Sequence, residues 1–296
     1  MNILPLHHQV RVISALVDGS SIRAAHRTTS VARETISSLL LKVGKGCAGL
    51  HDQLMRGLTP SLLEFDEIWC FIGTKEGNRG KEDPEYFGDA YTFIALDPVS
   101  KLVVSYLTDK RTSRATHEFV KDVRARVDGV PQISTDGFKP YLNAIKEAFW
   151  SRVHYGVSMK SYGPETDKRE GEAKYSPNRI TSHTKEPKQG NPDWDKINTS
   201  YVERQNLTLR MFNRRFTRLT NGWSRSQEHL RAAVALHFAH YNFCWVHSTI
   251  RVTPAMEAGV TGSEPEPTGE RSTPSDSSTS PSTPLVNFDL PEKMGG

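Results

Sequence analysis

Apolar and polar positions change their period along this chain, and the change divides it. Over the first fifty residues apolar side chains recur at helical spacing. Val10, Ile13, Leu16 and Val17 form a stripe that Gly19 stops; Ser20 or Ser21 can cap a short helix through His26; Ser30 can cap a third helix with Ile36, Leu39 and Leu40 inward. Three short helices with a tight middle turn predict a helix-turn-helix over residues 1–50. Its third helix would expose Arg33, Glu34, Ser37 and Ser38 to base edges, with Arg23, Arg27 and Lys42 near phosphates. A small helical oligomerisation module is the alternative for the same pattern.

From Phe65 the pattern becomes that of strands. FDEIWCFIG at 65–73 is apolar on both faces apart from Asp66 and Glu67, and AYTFIALD at 90–97 and KLVVSYLT at 101–108 flank an Asp97-Pro98 turn, predicting a hairpin. A helix at about Ser113–Val127, a short strand to Thr135, a helix near Lys139–Trp150 and a strand near Arg152–Val157 follow. Residues 160–198, punctuated by Gly and Pro without periodicity, read as a long loop or insertion. Two long helices come next, at about Thr199–Thr220 and Ser226–His247. The expected class is α/β, a mixed sheet covered by helices over residues 60–260.

From Thr261 to Gly296 Ser, Thr and Pro dominate, and PLVNFDLP at 284–291 is the only apolar cluster. The composition predicts a disordered tail dispensable for chemistry, either an unselected extension or a docking motif. The tail also hides basicity: the net charge is +4, but without it 36 basic residues face 28 acidic ones. That excess suits a polyanionic partner. No apolar run approaches the ~18 residues of a membrane span, and the N-terminus lacks a signal-peptide block, so a cytoplasmic protein is expected. Cys47, Cys70 and Cys244 form no CxxC pair, which argues against a disulfide framework and a zinc ribbon. His237, His240 and His247 read as packing or DNA-contacting residues in preference to a zinc site.

Asp66 is the sharpest anomaly, because its strand aligns it with Ile68, Cys70 and Ile72 in an otherwise buried row. A lone carboxylate there is costly unless it meets a cation or lies at the sheet's edge. Asp136, in TDGFKPY, stands at the carboxyl end of the fourth strand, where ligands gather in open sheets; a turn residue capping the next helix is the alternative. Glu203 lies on a helix whose apolar face comprises Val202, Leu209, Phe212, Phe216 and Leu219, with Glu203, Asn206, Arg210 and Arg214 opposite. That side is either a carboxylate beside phosphate-binding groups or a solvated face of ion pairs. Arg204, Arg210, Arg214, Arg215, Arg218, Arg225 and Arg231 occur in one stretch with only Glu228 opposing them, which suggests a DNA channel.

DEIW at 66–69, TDGFKPY at 135–141, YVERQNLTLR at 201–210 and HYNFCWVH at 240–247 resemble the signature blocks of DDE transposases of the insertion-sequence-one family. The resemblance covers about residues 60–260. It implies a ribonuclease-H-like, retroviral-integrase-like domain in which Asp66, Asp136 and Glu203 hold two Mg²⁺ ions, with Mn²⁺ as a substitute, for phosphoryl transfer. It also implies double-stranded DNA as partner, both transposon ends and target, and a homodimer or higher synaptic complex. The chain departs from the family prototype in the longer interval before Glu203 and in lacking the cysteines of an N-terminal zinc module. The reading is a transposase that binds terminal repeats, cleaves to a 3′-OH and joins that end to target DNA. A structure-specific endonuclease on the same fold and a non-catalytic DNA-binding regulator are the alternatives.

Overall fold

The apolar run at 62–72 becomes the centre of the sheet because its residues are needed on both faces. In the computed structural model, which describes residues 4–162, 180–218 and 220–262, this strand is β1 (Leu62–Ile72). With β2 (Gly88–Leu96), β3 (Val103–Asp109), β4 (Gln132–Thr135), β5 (His154–Tyr162) and β6 (Ile180–Gln189) it forms one sheet in the order β3-β2-β1-β4-β5-β6. β1, β2 and β3 pair antiparallel, β4 and β5 run parallel to β1, and β6 returns antiparallel on β5. Three antiparallel strands followed by two parallel ones, flanked by helices, make this an α/β, ribonuclease-H-like mixed sheet.

One face carries α4 (Ser113–Arg126) and α5 (Pro140–Phe149), which bury Leu63, Phe65, Phe93, Phe119 and Tyr141. Phe65 meets Phe119 edge-on, with ring centroids 5.3 Å apart; such pairs add about 0.5–1.5 kcal/mol beyond area burial. The other face carries α6 (Ser200–Phe212) and α7 (Gln227–Phe243) over Ile68, Cys70, Ile94 and Val103. Asn242 of α7 is fully buried and exchanges two hydrogen bonds with the Val103 backbone, at 3.0 and 2.9 Å, which pins α7 to β3. A short α8 (Pro254–Glu257) follows.

At the N-terminus, α1 (Leu6–Val17), α2 (Ile22–Thr29) and α3 (Arg33–Leu54) enclose Val12, Ala25, Val31, Ile36 and Leu39. Gly19, at φ +86°, ends α1 as expected, and Ser21 caps α2 by accepting from Ala24 N (3.1 Å). Ser30 does not cap the third helix. It ends α2 in the left-handed region at φ 58°, and Ala32 precedes α3 with no side-chain cap. α3 runs past residue 50 and lays its second half on α7, where Leu40 joins Val17, Ala232, Ala233 and Leu236. Gly44 makes this possible, since a Cβ there would stand 2.6 Å from Ala232.

Two expectations need correction. The stretch 160–198 is not simply a loop: residues 180–189 form β6, an edge strand whose side chains are mostly exposed. The helix expected at Thr199–Thr220 stops at Phe212. Asn213 leaves the helix at φ −134°, donates to Ala233 O (3.4 Å) and caps a short helical turn at Arg214–Phe216. Residues 163–179, Leu219 and everything from 263 onward, including the expected tail and its cluster at 284–291, lie outside the described residues.

Candidate active site

Alternation along β1 distributes three acids between its faces. Glu64 and Asp66 share the α6 face with Ile68 and Cys70, while Glu67 points to the α4/α5 face beside Phe65. Glu64 is 3% exposed, and its Oε2 accepts from two backbone N–H groups in the first turn of α6, Tyr201 (2.9 Å) and Val202 (3.0 Å). A carboxylate there satisfies two orphan donors and complements the helix dipole. Burial nonetheless pushes its pKa up to about 7.

One turn further along α6, Asn206 donates to Asp66 Oδ2 (2.8 Å), while Asp66 Oδ1 accepts from Glu67 N (2.8 Å). Both oxygens are thus oriented. Burial first, then the charge of Glu67 and those of Asp136 and Glu203, raises Asp66 to about 7. Asp136 stands where β4 stops beside β1, and its Oδ1 accepts from Phe138 N (2.9 Å), so it also serves the turn into α5.

Carboxylate oxygens of Asp66, Glu67 and Asp136 lie within 4.8 Å of one another. Glu67 has a side chain only 2% exposed. Its Oε1 has no hydrogen-bond partner among the described residues, its Oε2 accepts from Arg111 (3.2 Å to Nε), and burial raises its pKa. Three clustered oxygen donors without a histidine or thiol suit a hard divalent cation such as Mg²⁺ or Mn²⁺. The same three without a cation repel, and that repulsion adds to the larger effect of burial on Asp66.

Glu203 stands outside this trio. Its carboxylate accepts from Lys160 on β5 at 2.5 and 2.7 Å and from Thr199 Oγ1 at 2.8 Å. The fold therefore brings together two of the three acids read from the sequence and adds Glu67. Glu203 is close enough that its charge acts on Asp66 and Glu64.

The other sequence-selected residues divide by exposure. Arg23, Arg27 and Arg33 are exposed on the N-terminal helices. Ser37 is not open: its hydroxyl bonds His229 of α7 (2.7 Å) at the α3–α7 junction. Asn206 is 6% exposed and engaged by Asp66, so it orients an acid and does not present an outward face. Arg210 is half-buried, and the break at Asn213 takes Arg214 and Arg218 off its helix, both exposed. The basic stretch meets more acid than Glu228, since Arg231 lies 3.6 Å from Asp109, and Glu228 itself pairs with Lys45. His237 packs edge-on to Phe238, and His240 faces Trp245.

Sequence reasoning missed Glu64, Glu67, Arg111 and Lys160. Glu64 had a signal, being a second carboxylate in the buried row of Asp66. Arg111 had none: its guanidinium lies 3.7 Å from the Phe138 ring centroid, bonds Glu67 and stands 3.9 Å from Asp136, contacts that only the tertiary fold creates. Together with Lys139, Gly137 and Phe138 it lines an open cavity of about 460 Å³ beside Asp136.

No protein-family model matches the chain, and no curated protein matches it. Among solved structures it is similar to a simian T-cell lymphotropic virus intasome in complex with the PP2A regulatory subunit B56 gamma, at 16% identity and TM-score 0.39, over 75% of this chain and 62% of that one. It is also similar to the piggyBac transposase synaptic complex with hairpin DNA, at 11% identity and TM-score 0.38, over 88% of this chain and 71% of that one. A third is the Mos1 transposase paired-end complex with left transposon end, at 13% identity and TM-score 0.21, over 52% of this chain and 60% of that one. These neighbours are transposases and an intasome by name.

Proposed function

We propose that this chain is a metal-dependent DNA transposase of the DDE type, similar to the insertion-sequence-one family. The observation that carries the reading is the convergence of Asp66, Glu67 and Asp136 within 4.8 Å, next to a helix that carries Glu203. Asp66, Asp136 and Glu203 would hold the cations, with Glu67 beside them. Bound Mg²⁺ or Mn²⁺ would neutralise charge developing on the phosphate and make water or a 3′-OH a better nucleophile.

The protein's own groups supply position. Glu64 fixes the start of α6 over β1, and Asn206 turns Asp66 toward the cluster. Arg111, anchored by Glu67 and stacked on Phe138, offers a guanidinium to a phosphate oxygen. Lys160 holds Glu203 and would release it to the cations. Residues 1–50 would read the terminal repeats through the exposed Arg33 side of α3, and Arg23, Arg27, Arg214 and Arg218 would meet backbone phosphates. A homodimer pairing two DNA ends is the simplest assembly. Among the described residues no helix is long and apolar enough to cross a membrane.

A strand-transfer assay tests this reading, using pre-cleaved ends of the element's own flanking repeats with Mg²⁺ present or chelated. Joining that needs the metal and disappears in Asp66→Asn supports it. Cleavage without joining would make the protein an endonuclease on the same fold, and repeat binding with neither reaction would make it a regulator.

A further inference from the structure

Trp69 and Phe71 follow Glu67 at two-residue steps along β1 and so share its face of the sheet. Up to Glu67 that face is covered by α4 and α5, but Trp69, Phe71 and Trp223 belong to no hydrophobic core cluster among the described residues. β4 ends at Thr135, in register with Phe65, so it leaves the outer half of β1 without a strand on that side. The chain at Ser224 takes that place, with Gly73 N donating to Ser224 O (2.8 Å), and it carries Trp223 next to Phe71. Ring centroids are 5.8 Å apart from Trp69 to Phe71 and 5.4 Å from Phe71 to Trp223, with tilts of 40° and 30°. All three rings are half-buried.

Cations bracket the row. At its inner end Tyr91, opposite Trp69 in register, lies 5.7 Å from the Arg111 guanidinium that also bonds Glu67. At its outer end Arg225 is exposed two residues beyond Trp223, and the backbone of Arg214, also exposed, abuts Gly222. The acid in register with Phe71 is Asp89, whose Oδ1 takes the backbone N–H of Glu76 (3.5 Å). From Glu67 to Phe71 the strand advances roughly 13 Å, enough for aromatic faces to meet more than one base.

We propose that Trp69, Phe71 and Trp223 form a stacking surface for the bases of an unpaired DNA strand running outward from the candidate active site. The inference rests on the DNA-processing reading above and adds to it a preference for unpaired DNA. Aromatic rings interleaved with guanidiniums match a ligand that alternates π-faces with phosphates. An apolar protein partner would not call for arginines at both ends. Stacking tolerates any base, so the surface would hold a strand without reading it.

The test uses the full-length chain in EDTA, so that no chemistry occurs. Two probes are compared: a forked duplex carrying 2-aminopurine in its unpaired arm, and the fully paired duplex of the same sequence. Wild type should bind the fork roughly ten-fold more tightly and change the 2-aminopurine fluorescence, in line with the worth of one stacked base. Trp69→Leu and Trp223→Leu should lose that preference and the fluorescence change while binding the paired duplex as before; Trp69→Phe and Trp223→Phe should restore both. A fork preference that survives in the leucine variants would overturn the proposal, as would equal binding of both probes by wild type. Either result leaves the DNA-processing reading standing. Failure of wild type to bind either probe would remove that reading and the proposal with it. If the leucine variants unfold at lower temperature with unchanged fork binding, the rings are packing residues and the proposal is wrong.

Discussion

β1 and α6 meet across the candidate site, yet they hold their acids under opposite conditions. On β1, Asp66 is half-buried, has both oxygens engaged and has its pKa raised to about 7 by desolvation and neighbouring charge. On α6, the Glu203 side chain is 42% exposed and balanced by Lys160. A desolvated acid without a counter-ion stores repulsion that a cation relieves, whereas a paired, half-exposed acid gains little until it moves. The strand therefore offers a preformed part of the site, and the helix an adjustable one.

The largest effect that could break this comparison is on chemistry and metal binding together. Asp66→Asn and Glu203→Gln should each reduce strand transfer to background. The rise in thermal midpoint caused by Mg²⁺ should vanish in Asp66→Asn but persist, reduced, in Glu203→Gln. Equal loss of that rise in both variants would show that Glu203 is as preformed a ligand as Asp66.

The next effect is a dependence on pH without metal. Asp66 is raised from 3.8 to about 7, so its contribution to stability is fully present below about pH 4 and is lost as pH rises through 7. Chelated protein should melt at a lower temperature at pH 8 than at pH 6. Mg²⁺ should restore the difference at pH 8, by about 2.7 kcal/mol at a hundred-fold excess over its Kd. A flat profile in EDTA would mean that the acid cluster is relaxed without a cation.

Glu64 tests why α6 sits where it does. Glu64→Ala leaves two buried N–H groups of the helix unpaired and should cost about 1–3 kcal/mol in urea unfolding, with Glu64→Gln recovering most of it. The smallest effect belongs to Lys160→Ala, which should change stability by less than about 1 kcal/mol because the Glu203 side of the pair is open to water. It should tighten Mg²⁺ binding a few-fold by freeing Glu203, measured by calorimetry. Weaker binding would show that Lys160 positions Glu203 for the metal and does not compete with it.

What could be read in the chain follows from how local each signal is. The buried row of Asp66, the Asp97-Pro98 hairpin and the end of β4 before Asp136 depend on alternation and turn chemistry, which neighbours in sequence determine. β6 was hidden because ITSHTKEPKQ is an exposed edge strand with no apolar alternation to betray it. The break at Asn213 was hidden because Ala233, twenty residues away, supplies the acceptor that stabilises it. Glu67 read as an ordinary neighbour of Asp66 until Arg111 and Asp136, both distant in sequence, came to stand beside it. Ser37 sat correctly on the polar side of its helix, but that side continues into the α7 contact.

The unbroken run of α3 carries a geometric consequence. Its 22 residues span about 33 Å, close to one turn of a DNA duplex, and Gly44 seats its second half directly on the helix that covers the sheet. Under the proposed function, this strut would fix where the N-terminal helices stand relative to the sheet that carries the acids. A rigid packed helix, and not a flexible linker, would then hold the recognised sequence at a set distance from the broken bond.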